Sequence, residues 1–222
     1  MNSMENYTFK AKPNSNDIRI TSDGINEIAQ LVRSEENPYG QEARLITDVL
    51  NAYPNNNDRL LVAMKVSLID VTNSTNLSRY KRLISLNNVV DIILGIKDFD
   101  GRVKDGDCSL VYEIAKQSKD NYGINLFSFA SKYCTYHNVE IYQRDDYSIF
   151  DGVLRNCLPL YIDGLTHSTI DRWKNNFDYQ SYNYIIGELL DSLNIKNQHR
   201  RRELDYFLWN SYRRNENNPV DL

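Results

Sequence analysis

Residues 127–159 read FSFASKYCTYHNVEIYQRDDYSIFDGVLRNCLP. Its first half has helical spacing: Leu126, Phe129, Ala130 and Tyr133 fall on one side of a helix over residues 125–137, with Asn125 as its cap. A short extended run, Tyr147-Ser148-Ile149-Phe150, then turns into a second helix at Asp151. Lys132 within the first helix and Asp151 at the head of the second are nineteen positions apart on a helix–turn–helix return.

Short capped helices continue outward in both directions. Asp17-Ile18-Arg19-Ile20-Thr21 alternates like one short strand, a small β element near the N-terminus. Ser22 and Asp23 cap a helix starting near Ile25 (INEIAQLVRS), which the turn Asn37-Pro38-Tyr39-Gly40 ends. Leu45, Ile46, Val49 and Leu50 share one face of the next helix, closed by Tyr53-Pro54. Asp58 caps DRLLVAMKVSLIDV, apolar nearly all round and so expected to be a central buried helix. The polar loop Thr72–Asn76 leads into LSRYKRLI and VVDIILGI. Gly95, Gly101 and Gly106 bracket a charged loop, after which Asp107 caps CSLVYEIAKQS. Further helical patterns lie at 168–175, 178–193 and 200–212. The expectation is an all-α fold of about ten helices in two lobes. It reads as one unit: an N-terminal extension over 1–40, a core over 41–165, and helices over 166–222 that complete it.

At 222 residues, with 41% hydrophobic and 11% aromatic side chains, the chain has the makings of a real core. Cys108, Cys134 and Cys157 have no metal-ligand spacing and are odd in number, which fits a reducing cytoplasm. MNSMENYTFKAK has no apolar core of a signal peptide, and no run approaches membrane-spanning length. The net charge of −4 argues against a nucleic-acid partner taken as a sum, but its distribution is uneven. Lys196, Arg200, Arg201, Arg202, Arg213 and Arg214 cluster near the C-terminus, Lys116, Lys119 and Lys132 around the central stretch, and Arg79, Lys81 and Arg82 form a third group. Such patches either make a few salt-sensitive phosphate contacts or are simply solvated helix faces.

Lysine and aspartate can do specific chemistry here. Burial against Phe127, Phe129 and Tyr133 disfavours an ammonium and frees the amine of Lys132 for attack. An amine of this kind can attack the C1′ carbon of a deoxynucleotide, displace the base and leave a Schiff base. Asp151 can stabilise positive charge on the sugar, or orient and deprotonate the lysine. The plain alternative is a solvated helix lysine and an aspartate that only caps a helix.

The segment resembles the helix-hairpin-helix DNA glycosylase superfamily, in which a lysine of the second hairpin helix precedes a catalytic aspartate by a similar interval. Ser131-Lys132-Tyr133-Cys134 and Ser148-Ile149-Phe150-Asp151 stand in those places, closest to divergent bacterial members of the 8-oxoguanine-glycosylase-like branch. The resemblance covers roughly residues 40–165, with Lys65–Ile69 and Thr72–Leu77 matching upstream. The family's Leu-Pro-Gly-Val-Gly hairpin is replaced by Leu126-Phe127-Ser128-Phe129-Ala130, a degenerate motif. Without those glycines, phosphate contact falls to Ser128, Ser131, Lys116 or Lys119.

An enzyme acting on a base must extrude it, hold it by stacking and fill the gap it leaves. Asn73, Thr75 and Asn76 in the polar loop are candidates for the strand-contacting role, or form an ordinary turn. Phe127, Tyr133, Tyr136, Phe150 and Trp209 are stacking candidates, or core. His137 contacts a phosphate, or positions Asp151, or serves the helix C-terminus. No metal or organic cofactor is expected. The resemblance thus implies a DNA N-glycosylase with Lys132 as nucleophile, possessing AP-lyase activity and acting as a monomer on double-stranded DNA. Its substrate would be an oxidised purine, or a modified base of phage DNA in a defence role. The alternatives are a catalytically silent DNA-binding module of the same fold and a helical interaction protein.

Overall fold

A computed structural model of the chain describes residues 7–14, 18–34, 36–73 and 75–213. Among them are eleven α-helices: α1 (Ser22–Arg33), α2 (Pro38–Ala52), α3 (Arg59–Thr72), α4 (Leu86–Gly95), α5 (Phe99–Lys104), α6 (Ser109–Tyr122), α7 (Phe127–Tyr136), α8 (Gly152–Tyr161), α9 (His167–Asn175), α10 (Tyr179–Ser192) and α11 (Arg200–Arg213). A 3₁₀ turn spans Leu77–Tyr80 and a π turn His137–Ile141. Two short strands, β1 (Thr8–Phe9) and β2 (Ile162–Asp163), pair antiparallel with Thr8 opposite Asp163. The fold is all-α with a small N-terminal β element. No helix among the described residues is long and apolar enough to cross a membrane.

Local chemistry sets most of the helix starts. Thr21, Asp58, Thr166 and Asp178 each accept a main-chain N–H of the first turn that has no partner within the helix. Ser85 and Asn88 form a reciprocal capping box on α4.

Four local expectations are corrected. Residues 18–21 form no strand, because Ile20 is buried in the core and Thr21 is spent capping α1; Asp17 lies outside the described residues. Pro38 does not close a turn but opens α2, since at a first helical position its missing N–H costs nothing. The span bracketed by Gly95 and Gly106 contains α5 rather than loop alone. And α3 buries one stripe, Val62, Lys65, Val66 and Ile69, while Leu60 and Val71 are 79% and 78% exposed.

One hydrophobic cluster runs from Ile20 to Leu208 and takes side chains from nearly every helix. Around it, α1, α8 and α11 pack together and are extended by α9 and α10, while α2, α3, α4, α6 and α7 form the facing group. The seam between the two groups holds the site.

Candidate active site

The path of the chain after α7 positions everything that follows. Asn125 Oδ1 accepts the Phe127 N–H at 3.0 Å and starts the helix. After the π turn, residues 143–150 have no helix or strand and return along α7, bonded to Asn138 at one end and Ser131 at the other. A buried extended run must find partners for its peptide groups. The Tyr179 hydroxyl donates to Ser148 O at 2.7 Å and accepts the Ser148 N–H at 2.8 Å, and the Tyr182 hydroxyl donates to Ile149 O at 2.6 Å. On α7, Ser128 Oγ donates to Phe150 O at 2.8 Å and Ser131 Oγ accepts the Phe150 N–H at 2.9 Å. Ser128 and Ser131, read from sequence as phosphate contacts, are therefore brackets that fasten the returning chain to α7.

The next residue is Asp151, whose Oδ1 accepts the Leu154 N–H at 2.9 Å and caps α8. Lys132, beside Ser131, is buried, and its Nζ donates to Asn73 O at 2.9 Å. Lys132 and Asp151 line one pocket of about 220 Å³. Its other walls are Val32 of α1, Glu42, Ala43 and Ile46 of α2, Val71, Thr72 and Asn73 at the end of α3, Tyr136 of α7, and Arg202, Asp205, Tyr206 and Trp209 of α11.

The α11 wall is polar and aromatic at once. The Arg202 guanidinium lies 4.5 Å from the Tyr136 ring centroid and 4.1 Å from that of Tyr206. Its Nη2 donates to both hydroxyls, at 2.5 Å and 3.1 Å, and its Nη1 pairs with Asp205. Tyr136 passes its own proton to Asn73 Oδ1 at 2.7 Å, so Asn73 holds both Lys132 and Tyr136. Among the described residues, Arg202 Nε and Asp205 Oδ1 are buried with no hydrogen-bond partner, on residues that line the pocket. Burial pushes the Asp205 carboxyl up to about 6, with Arg202 and Lys132 pulling it down and Asp151 adding repulsion. Burial opposes the charge of Arg202, yet Tyr136, Tyr206 and Asp205 hold it above its ordinary value. Asp145 steadies the start of α11 by accepting the Arg201 N–H at 3.0 Å.

Several residues picked out in the sequence do not reach this pocket. Phe127 and Phe150 meet edge to face in the core at 5.0 Å. Tyr133 is buried with its hydroxyl donating to Asn56 Oδ1 at 2.7 Å. His137, stacked on Tyr133, donates from Nδ1 to Tyr133 O at 2.8 Å, and burial lowers its pKa to about 3. Each is interior because α7 is buried on nearly every side. Thr75 is tied to the Asp70 carboxylate, and Asn76 takes a left-handed turn conformation. Of the polar loop, Thr72 and Asn73 line the pocket, and Ser74 lies outside the described residues.

In the C-terminal basic cluster Lys196 is exposed, while three arginines turn inward or pair internally: Arg200 with Asp191, Arg201 on Ser148 Oγ and Asn183 O, Arg202 in its tyrosine sandwich. Arg214 and the Arg213 side chain lie outside the described residues. Lys116 pairs with Asp120 and Lys119 with Gly123 O, so neither is a ready substitute for the hairpin glycines. The α11 wall was not read from sequence, except for Trp209 as a stacking candidate. A signal was present: Arg202, Asp205, Tyr206 and Trp209 fall at i, i+3, i+4 and i+7, one helix face mixing charge with aromatic rings.

An uncharacterized protein of Haemophilus influenzae is 28% identical over 142 residues, which cover 64% of this chain and 64% of that protein. The chain thus spans just under two thirds of this relative's length. No solved structure matches. The family model that matches, described as "HI_0787_N: N-terminal domain", covers residues 24–145, from α1 through the π turn; it includes Lys132 and stops short of Asp151 and α11. Because that match takes in more than half of the chain, the protein belongs to the HI_0787_N family.

Proposed function

We propose that this protein is a DNA N-glycosylase of the helix-hairpin-helix type, excising a damaged or modified base through Lys132. The observation that carries this reading is the convergence of Lys132 and Asp151 on one pocket with aromatic and polar walls. Asn73 O directs the Lys132 amine, and Asp151 sits where a carboxylate can balance positive charge on the sugar. In the first step Nζ forms a bond to C1′, the C1′–N bond breaks, and its electron pair leaves with the base, which takes up a proton. Transfer of one Nζ proton to O4′ as the C1′–O4′ bond opens then gives the protonated Schiff base and a free O4′ hydroxyl. Removal of a C2′ proton from it expels the 3′ phosphate.

Tyr136, Tyr206 and Trp209 line the pocket that an extruded base would enter, with Arg202 and Asp205 as its charged wall. The same reading sets the protein in the cytoplasm, in keeping with three cysteines that are all free thiols. Borohydride trapping on duplexes carrying oxidised, deaminated, alkylated and hypermodified bases tests it. A covalent adduct with one of these, lost in Lys132→Gln, is the expected result. No adduct and no base release on any substrate would remove the proposal.

A further inference from the structure

From Val71 to Val90 the chain carries no acidic residue, while Arg79, Lys81 and Arg82 add three cations, in a protein whose net charge is −4. The start of the segment is folded back onto the end of α3. Asp70 Oδ1 accepts the Leu77 N–H at 2.9 Å, and Leu77 is buried. The 3₁₀ turn therefore starts against the last turn of α3, the turn whose Val71, Thr72 and Asn73 line the pocket. From Ser78 to Leu83 every residue is exposed.

Among the described residues, no ion pair or side-chain hydrogen bond engages Arg79, Lys81 or Arg82. Elsewhere arginines are held by carboxylates, as Arg59, Arg102, Arg144 and Arg155 are. Tyr80 stands between these cations and Leu83 follows them, 41% and 60% exposed. Unpaired cations interleaved with exposed apolar side chains match a strand's phosphates and sugars, and each phosphate neutralised releases counterions.

We propose that residues 78–83 are the surface on which the phosphate backbone of duplex DNA rests beside the pocket. This rests on the glycosylase reading and adds the place where the duplex is gripped. The cations are on a surface turn outside the pocket walls, so they contribute to affinity and leave the chemistry to the pocket.

The experiment measures binding of a labelled duplex by fluorescence anisotropy from about 50 to 200 mM salt, the range over which such contacts weaken most visibly. It compares the full chain with the triple variant Arg79→Gln/Lys81→Gln/Arg82→Gln and with the conservative pair Arg79→Lys/Arg82→Lys. Circular dichroism checks that all three fold. The triple variant should bind at least about tenfold more weakly at low salt, with a log–log salt slope smaller by roughly one per cation, and the lysine pair should keep the slope. Base release at saturating protein should be unchanged.

If the wild type releases base and the triple variant binds with the same affinity and slope, this inference is wrong and the glycosylase reading stands. If the wild type does not bind duplex at the lowest salt, both fall. Binding of phosphatidylserine vesicles in place of duplex, lost in the triple variant, would make the segment a membrane contact and overturn the proposal.

Discussion

Ser131 Oγ accepts the main-chain N–H of Phe150 at 2.9 Å and donates in turn to Ser128 O at 2.9 Å. The neighbours of this pair are Lys132 on one side and Asp151 on the other, so the Ser131 hydroxyl, with that of Ser128 on Phe150 O, holds the two pocket residues at their spacing. Ser131→Ala leaves a buried peptide N–H without its acceptor, at a cost of about 1–3 kcal/mol. For a chain of this size that is a fall of roughly 2–4 °C in Tm per kcal/mol. Thermal melts check the first number. Single-turnover base release should drop further than the stability loss explains, because Asp151 shifts. An unchanged melt would show that the bracket contributes nothing.

Asp151 both caps α8 and faces the pocket, and two substitutions separate these roles. Asparagine caps about as well as aspartate, so Asp151→Asn should melt near the wild type, whereas Asp151→Ala should lose about 1 kcal/mol. Both should lose base release by about two to three orders of magnitude, as expected for removing one transition-state-stabilising group. Full activity in Asp151→Asn would take the carboxylate out of the chemistry.

A buried histidine and a half-buried aspartate oppose each other in acid. Burial holds His137 at about 3 against an ordinary 6.5, so between these values the unfolded chain binds a proton that the folded chain does not. Its contribution is complete above 6.5 and is lost as pH falls, by up to about 1.4 kcal/mol per pH unit. Asp145 has the opposite sign. Burial raises it to about 7 from 3.8, so over that window the folded chain holds the extra proton and gains stability as pH falls. Urea titrations between pH 4 and 6.5 should show His137→Phe gaining on the wild type towards acid and Asp145→Asn losing. Parallel pH curves for the three proteins would contradict both assignments.

Arg202 and Asp205 are both buried and form an ion pair. Arg202→Met strands a carboxylate among apolar and aromatic neighbours and should destabilise by about 3–5 kcal/mol, while adding Asp205→Leu should return most of it. A double variant no more stable than Arg202→Met, by chemical denaturation, would show that the arginine acts through packing on Tyr136 and Tyr206 instead.

What could be read in advance was what short-range chemistry decides. Asp58 before an apolar run, Asn125 before α7 and Asp151 before α8 all act on residues two or three places away, and all three were legible. Lys132 and Asp151 were legible as a pair because the return between them is short. Ser128 and Ser131 were misassigned because their partner, Phe150, reaches them only after the chain doubles back. The strand Thr8–Phe9 was missed because its mate is Ile162–Asp163, far along the chain. Lys65 gave no sign of its burial: within an apolar run it donates to Asn55 O at 2.8 Å, and burial lowers its pKa to about 8. The α11 wall was obscured because three consecutive arginines read as a solvated face, whereas the helix sends each to a different internal partner.

The packing of α1 along α11, with Arg33 reaching Glu203 at 3.3 Å, fixes an order of events during synthesis. Ile25, Ala29 and Val32 leave the ribosome long before the helix that covers them, so the nascent chain carries an apolar stripe that stays uncovered by α11 until that helix is made. The same delay governs the pocket. Its last wall, Arg202 to Trp209, is made well after Lys132, so until then the chain has the lysine but no enclosed site in which to use it. Any reactivity of the pocket amine is withheld until the C-terminal helix docks.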